Sequence, residues 1–259
     1  MLTRISETFK RLHQQGKKAF IPYIVAGDPS LKETRDVVLL FEACGADIVE
    51  LGVPFSDPLA DGPTIQRASE RALKNGVTLR KIIALVKDLR QATQIPLVLM
   101  TYFNPVFKYG TDAFIKDARN AGVDGMIIPD LPPDEAGDFI KLSRKAALDT
   151  IFLLAPTSTE DRIRKVTKAA TGFIYYVSIT GTTGSSLLLD GSMDLLIANI
   201  RKYTDKPIAV GFGVSTPEEA AAIARLSDGV IVGSAIVKKL HDTPKELASY
   251  LSSLREAIK

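Results

Sequence analysis

The sequence has little of what several common classes of protein require. Its 259 residues include a single cysteine, Cys44, which excludes a disulfide framework and a cysteine-based metal site. The two histidines, His13 and His241, lie in helical patterns near the two ends of the chain, where we interpret them as surface or cap residues. No apolar run approaches ~18 residues, and residues 1–20 contain no apolar stretch typical of a signal peptide. We therefore expect a soluble, cytoplasmic protein with no targeting segment, no histidine base and no metal ion.

Charge is also not concentrated anywhere along the chain. The 33 basic and 30 acidic residues give a net charge of +3, and the basic residues are scattered rather than clustered. A nucleic-acid-binding protein would show a basic stripe or a recognisable motif. We therefore expect neither nucleic acid nor a membrane as a partner.

Eight short apolar segments recur along the chain, and segments with helical periodicity separate them. The apolar segments are nearly continuous, which is typical of strands buried on both faces. They span residues 20–27, 46–53, 95–102, 124–130, 150–156, 173–180, 207–213 and 229–235. Ser30, Thr78 and Thr216 are the predicted N-caps of three of the helices.

The regular alternation of strand and helix predicts parallel strands joined by helical crossovers. Eight strands in a chain of this length favour an α/β fold, the (β/α)8 TIM barrel, as a single domain over residues 1–259 with an N-terminal helix. An open dinucleotide-binding sheet is less favoured because no G-x-G-x-x-G motif follows the first strand.

The candidates for catalysis are polar residues that follow the predicted strands, since barrel enzymes build their sites there. Glu50 follows a buried apolar run, where desolvation raises the pKa of a carboxyl toward the range useful in proton transfer. Asp57 and Asp61 follow in a proline-rich turn. Each has a structural alternative, because Glu50 could pair with a buried cation, Asp57 could serve the turn and Asp61 could cap the next helix. The residues alone favour Glu50 over Asp61 and leave these alternatives open.

Three glycine-rich loops follow the last three predicted strands. They read "GTTGSS" after strand 6, "GFGVSTPE" after strand 7 and "GSA" after strand 8. Glycines let backbone N–H groups approach an anion, and loops after strands 7 and 8 often bind phosphate in this fold. The alternative is that these glycines only form tight turns. No lysine lies in the second half of a predicted strand, so a Schiff-base mechanism has no evident nucleophile.

Longer motifs add a resemblance to a known family. Residues 50–66 read "ELGVPFSDPLADGPTIQ", and this long motif carries most of the resemblance. In the same order along the chain come "YIVAGDPS" (23–30), "MTYFNPVFKYG" (100–110), "IIPDLPPDE" (127–135), "VGFGVSTPE" (210–218) and "VGSAIVK" (232–238). Together these motifs resemble the tryptophan synthase α subunit family over essentially the whole chain.

The resemblance implies a TIM-barrel lyase that cleaves indole-3-glycerol phosphate to indole and glyceraldehyde 3-phosphate in a retro-aldol reaction. It implies that Glu50 is the general acid and base, that Asp61 accepts the indole N–H, and that Tyr176 packs in the site. It further implies substrate contacts from Phe20, Ile21, Leu99, Tyr102, Thr183 and Phe212, and phosphate contacts from Gly184, Gly213, Gly233 and Ser234.

The resemblance also implies a partner. In the family, the α subunit binds a pyridoxal-phosphate-dependent β subunit in an αββα assembly, and indole passes between the two sites. The implied contact residues are Pro54, Asp57, Asn104 and Pro105, and this chain itself would hold no cofactor.

The sequence departs from the family in the loop after strand 6. The family often has Ser-Arg-x-Gly-Val-Thr-Gly there, whereas this chain has "SITGTTG" (178–184), with Ile179 in place of arginine and Thr182 in place of valine. This difference bears on loop closure and partner coupling rather than on the chemistry.

Three other hypotheses compete with this one. Another phosphate-binding barrel enzyme would be expected to carry a lysine general acid on a strand, which the sequence lacks. A non-catalytic barrel that only activates a partner would be expected to have lost its carboxylates, yet Glu50 and Asp61 are present. A stand-alone lyase that releases indole without a partner is left open by the sequence.

Overall fold

Eight parallel strands form a closed barrel in the order in which they occur along the chain. The computed structural model describes residues 3–177, 192–211 and 213–258. The strands are β1 (Ala19–Val25), β2 (Val49–Gly52), β3 (Leu97–Met100), β4 (Gly125–Ile127), β5 (Asp149–Leu154), β6 (Ile174–Val177), β7 (Ile208–Gly211) and β8 (Gly229–Val232). The barrel closes where β8 pairs with β1, with Ala19 opposite Gly229. The predicted (β/α)8 barrel is therefore confirmed.

Helices follow the strands and cover the outside of the barrel. In the described ranges they are α1 (Arg4–Gln14), α2 (Leu31–Ala43), α3 (Pro63–Lys74), α4 (Leu79–Leu89), α5 (Phe103–Tyr109), α6 (Thr111–Ala121), α7 (Gly137–Lys145), α8 (Glu160–Ala169), α9 (Ser192–Arg201), α10 (Pro217–Leu226), α11 (Ser234–Asp242) and α12 (Leu247–Ala257), with a 3-10 turn at Pro244–Glu246. The three predicted N-caps are confirmed, because Ser30, Thr78 and Thr216 each accept a hydrogen bond from the N–H of the third helical residue. None of these helices is long and apolar enough to cross a membrane.

The two faces of each strand pack into separate apolar layers. Inward side chains such as Ile21, Val98 and Ile231 form the core inside the barrel, while the intervening residues pack against the surrounding helices. Helix α1 covers the N-terminal end of the barrel, where the ring of Phe9 lies 5.7 Å from that of Phe173. With that end filled, the C-terminal end of the barrel is left for a site.

Candidate active site

A cavity of about 630 Å³ lies at the C-terminal ends of the strands. Glu50 of β2 and Asp61 of the loop after β2 line it, and so do the tyrosines Tyr23 of β1 and Tyr175 of β6. Further lining residues are Gly213, Gly233, Ser234, Lys238 and Lys239 on the side of β7 and β8. The cavity thus joins two carboxylates to a glycine-rich rim.

Glu50 is a buried carboxyl with no hydrogen-bond partner in the part of the chain that the structure describes. Its side chain is 1% exposed, and neither carboxyl oxygen has a hydrogen-bond partner among the described residues. Burial, assisted by the nearby charge of Asp61, raises the pKa of Glu50 to about 8. Glu50 is therefore mainly protonated at neutral pH and can donate a proton into the cavity.

A second buried carboxylate, Asp124, shows what a structural role looks like in this chain. Asp124 lies 2.6 Å from the Arg90 guanidinium and 2.9 Å from that of Arg4, and it accepts a hydrogen bond from the N–H of Leu97. Such pairing is how a buried charge is normally compensated. Glu50 has none of these contacts, so the alternative that it pairs with a buried cation is excluded for the described residues.

The loop that carries Asp61 is held by hydrogen bonds at several points. The Tyr102 hydroxyl accepts a hydrogen bond from the N–H of Ala60 at 2.9 Å and donates one to Asp61 Oδ2 at 3.2 Å. The side-chain amide of Gln66 donates to the carbonyl of Asp61 at 2.8 Å. Burial raises the pKa of Asp61, and the hydrogen bond from Tyr102 acts in the opposite direction by favouring the charged form. The carboxylate is therefore fixed at the cavity wall.

The opposite rim of the cavity has the features of an anion site. Gly213 follows β7 with a φ of +45°, and Gly233 is the N-cap of α11, whose first residue is Ser234. The unpaired N–H groups at the start of a helix favour a negative charge. Lys238 also lines this rim and forms no ion pair within the described residues, whereas Lys239 is 2.8 Å from Glu246.

Comparisons with known proteins place the chain in a family. The family model described as "Tryptophan synthase alpha chain" matches residues 9–259. The chain is 50% identical to the tryptophan synthase alpha chains of Geotalea daltonii, with 99% of this chain and 97% of that one covered, and of Geobacter sulfurreducens, with 99% of both covered. Among solved structures, it is similar to the alpha subunit from Legionella pneumophila (36% identity, TM-score 0.92, 100% and 99% covered) and to tryptophan synthase from Mycobacterium tuberculosis (38%, 0.93, 100% and 99%). The chain belongs to the tryptophan synthase α chain family.

Membership of the tryptophan synthase α chain family establishes the reaction. The chain is a carbon–carbon lyase that cleaves indole-3-glycerol phosphate to indole and glyceraldehyde 3-phosphate, and the indole goes on to tryptophan synthesis in the β subunit. The pyridoxal-phosphate-dependent activity belongs to that β subunit. Among the described residues, no group of three or more His, Cys, Asp and Glu is arranged to hold a metal ion.

Three residues expected in the α-chain site face away from the cavity. Tyr176, Phe20 and Leu99 are fully buried in the layer between the strands and the helices, and none of them lines the cavity. Side chains along a strand alternate between its two faces, so the adjacent residue points inward instead. The expectation that Tyr176 packs in the site is therefore wrong, because Tyr175 is the tyrosine of β6 that reaches the cavity.

A displacement also applies on the other strands, by one residue on β3 and by three residues on β1. Met100 of β3 lines the cavity in place of Leu99, and Tyr23 of β1 lines it in place of Phe20, while Ile21 lies deeper in the barrel interior. Tyr23 was missed by the sequence reasoning. The sequence did offer a signal for Tyr23, because its hydroxyl is a polar group in the otherwise apolar strand β1.

The remaining predicted residues have different positions. Tyr102 contacts Asp61 and does not line the cavity itself. Gly213, Gly233 and Ser234 line the cavity, as expected for phosphate contacts. Thr183, Gly184 and Phe212 lie outside the described residues, as do Ile179 and Thr182 of the divergent loop.

The predicted partner contacts lie at the same end of the barrel. Asp57 and Asn104 are exposed and Pro105 is half-buried, whereas Pro54 is buried in this chain. Two large apolar side chains stand exposed beside them. Leu59 in the loop after β2 is 86% exposed, and Phe107 on α5 is 69% exposed.

Proposed function

We propose that Glu50 and Asp61 divide the proton chemistry of the cleavage. Protonated Glu50 gives its proton to C3 of the indole ring, and the ring takes on positive charge. The bond between C3 and the glycerol chain then breaks, its electron pair returning to the ring. The Glu50 carboxylate takes the proton of the hydroxyl on the cleaved carbon as the aldehyde forms. Glu50 gives one proton to the ring and takes one from the hydroxyl, so it ends the cycle protonated, as it began.

The observation that carries this proposal is the environment of Glu50. Its carboxyl is buried and unpartnered among the described residues, and burial raises its pKa to about 8. A general acid works best when its pKa lies near the operating pH. Asp61, whose charged form is favoured by the hydrogen bond from Tyr102, would accept the indole N–H and stabilise the positive charge on the ring. Two carboxyl groups in different environments can thus take opposite roles.

We propose that the glycine-rich rim binds the substrate phosphate. The N-terminus of α11 at Gly233 and Ser234, together with Gly213, supports this assignment, and the Lys238 charge adds to it. Thr183 and Gly184 stay predicted contacts. The phosphate lies far from the bond that breaks. Its binding energy would nevertheless orient the indole against Glu50.

The experiment that tests the acid–base assignment is the substitution Glu50→Gln. We expect indole release from indole-3-glycerol phosphate to fall by a factor of about 10³ or more, because the variant can neither donate nor accept the proton. Substrate binding, measured by calorimetry, should persist. Glu42→Gln, which changes an exposed carboxylate on α2, is the matched control and should leave turnover unchanged. A Glu50→Gln chain that retains most of its turnover would remove Glu50 from the mechanism.

We propose an αββα assembly with the β subunit at the C-terminal rim of the barrel. The exposed Leu59 and Phe107, beside Asp57 and Asn104, support a protein partner on this surface, since exposed apolar side chains grouped at a polar rim are typical of interfaces. Pyridoxal phosphate would be bound by the β subunit only. The cytoplasmic location stays a prediction from the sequence.

A further inference from the structure

Tyr23 is a cavity residue that the acid–base mechanism does not use. It lies on β1 directly opposite Glu50 of β2 in the strand register, so the two side chains are neighbours on the inner face of the barrel. The side chain is 7% exposed and lines the cavity. Its hydroxyl has no hydrogen-bond partner within the described residues, so it is available to a ligand in the cavity.

Two glycines leave space for the Tyr23 ring. A Cβ atom added to Gly52 would lie 2.1 Å from the Tyr23 hydroxyl oxygen, so the hydroxyl occupies the space that a side chain on β2 would fill. A Cβ atom added to Gly233 would lie 3.4 Å from Cδ1 of the same ring. The ring therefore spans from the phosphate rim at Gly233 to the strand that carries Glu50.

This span corresponds to one part of the substrate. With the phosphate at Gly233 and Ser234 and the indole against Glu50 and Asp61, the glycerol chain that joins them must cross the Tyr23 ring. That chain carries two hydroxyl groups. Tyr175 is placed differently, since its hydroxyl lies against Gly211 of β7 and no contact with Gly233 involves it.

We infer that the Tyr23 hydroxyl hydrogen-bonds a hydroxyl of the glycerol chain and makes the site selective for a hydroxylated chain over a plain alkyl chain. The inference rests on the proposed function, because it takes the positions of the phosphate and the indole from it. Burial and the negative charges of Asp61 and Glu50 raise the pKa of Tyr23 well above its usual value, so the phenol stays protonated and can donate this hydrogen bond. A site that leaves a buried polar group unpaired discriminates against a ligand lacking the matching hydroxyl.

The test removes the hydroxyl and keeps the ring, with Tyr23→Phe in the full chain. Two ligands are compared: indole-3-glycerol phosphate, through kcat/KM for indole release, and 3-(indol-3-yl)propyl phosphate, which has no chain hydroxyls, through its Kd. We expect kcat/KM to fall about five- to tenfold and the Kd of the propyl analogue to stay within about twofold. Tyr109→Phe, a tyrosine on α5 that bonds Asp117 outside the cavity, should change neither value.

Each other outcome counts against the inference. An equal loss in kcat/KM for the substrate and in affinity for the propyl analogue would mean that Tyr23→Phe disturbs the position of the ring. No change in either value would mean that the hydroxyl contacts neither ligand. In both cases the wild-type chain still cleaves its substrate, so the proposed function stands. A wild-type chain that neither binds the propyl analogue nor releases indole would overturn the proposed function and this inference with it.

Discussion

At the residue scale, the informative difference among the buried carboxyl groups is whether a cation compensates them. Asp124 and Asp28 each accept hydrogen bonds from arginine, and such pairs offset the cost of burying charge. Within the described part of the chain Glu50 meets no cation, so its charged form is disfavoured and its pKa rises. Keeping Glu50 buried as a reactive acid therefore lowers the free energy of unfolding, and such a cost is common at functional sites.

This cost predicts a pH-dependent difference in stability between the wild-type chain and Glu50→Gln. The folded-state pKa of Glu50 is about 8, above its usual 4.5, so the folded state holds a proton that the unfolded state releases between these values. The wild-type free energy of unfolding should therefore decrease relative to the variant as pH rises from about 5 to about 8, by up to roughly 4 kcal/mol. Urea unfolding of both chains across this pH range measures the difference.

The control for this experiment is Glu42→Gln, because Glu42 is exposed. The free energy of unfolding of Glu42→Gln should equal that of the wild type at every pH. A constant difference between Glu50→Gln and the wild type over the same range would contradict a raised pKa for Glu50.

Residue identities at the site were predictable where burial conflicted with polarity and where a glycine-rich loop followed a strand. Glu50 stood out because a carboxylate after an apolar strand needs an explanation. Phe20, Leu99 and Tyr176 were misplaced because parallel barrel strands are apolar on both faces, so the sequence does not indicate which residues point inward. A shift of one residue moves a side chain to the other face, and adjacent tyrosines on β6 gave no means to choose.

At the element scale, helix α3 connects the loop after β2, which carries Asp61, to the loop after β1, which contains Asp28 and Pro29. Arg71 of α3 donates two hydrogen bonds, of 2.8 and 2.7 Å, to the buried carboxylate of Asp28, and Asn75 donates to the carbonyl of Pro29. Gln66, one helix turn from the start of α3, holds the carbonyl of Asp61. The position of Asp61 thus depends on how α3 is anchored.

We predict that Arg71→Met lowers both stability and turnover. The substitution leaves the Asp28 carboxylate buried without its bidentate partner, and because Arg71 itself is about one third exposed we expect a loss of about 2 kcal/mol rather than the larger cost of a fully buried pair. Chemical unfolding and kcat for indole release measure the two effects. Arg67→Met, on the exposed side of the same helix, should be nearly neutral. Equal behaviour of the two variants would show that the pair does not anchor α3.

The elements themselves were largely predictable. All eight strands lie within or beside the apolar segments identified in the sequence, because a buried strand must be apolar and bounded by turn residues. Several of the apolar segments extend beyond the ends of the strands that they contain. The segment 95–102 contains β3 only at Leu97–Met100, and Tyr102 then serves as the N-cap of α5, since apolar residues continue past the last ladder hydrogen bond.

At the scale of the whole molecule, the two ends of the barrel have different tasks. The N-terminal end is closed by α1 and by the Asp124–Arg90–Arg4 cluster, while the C-terminal end holds the cavity and the exposed Leu59 and Phe107. The cavity and the proposed partner surface therefore share one end of the barrel, which would place the product indole next to the β subunit.

We predict that Leu59→Ser and Phe107→Ser each weaken binding to a cognate β subunit by about tenfold or more, because each removes apolar area from the proposed interface. Fluorescence titration or surface plasmon resonance with the purified β subunit gives the Kd. Leu195→Ser on α9, where the leucine is 70% exposed, is the matched control and should bind normally. Loss of binding in the control alone would place the interface elsewhere.

The most direct test of the proposed acid is a titration of Glu50 itself. The chain is labelled with ¹³C at glutamate carboxyl groups, and the Glu50 signal is assigned by its absence from Glu50→Gln. We predict that this signal titrates with a pKa of about 8, so that the carboxyl is protonated at neutral pH and poised to protonate the indole ring. A Glu50 signal that titrates below about pH 5, as an ordinary exposed glutamate does, would contradict the central role given to its burial.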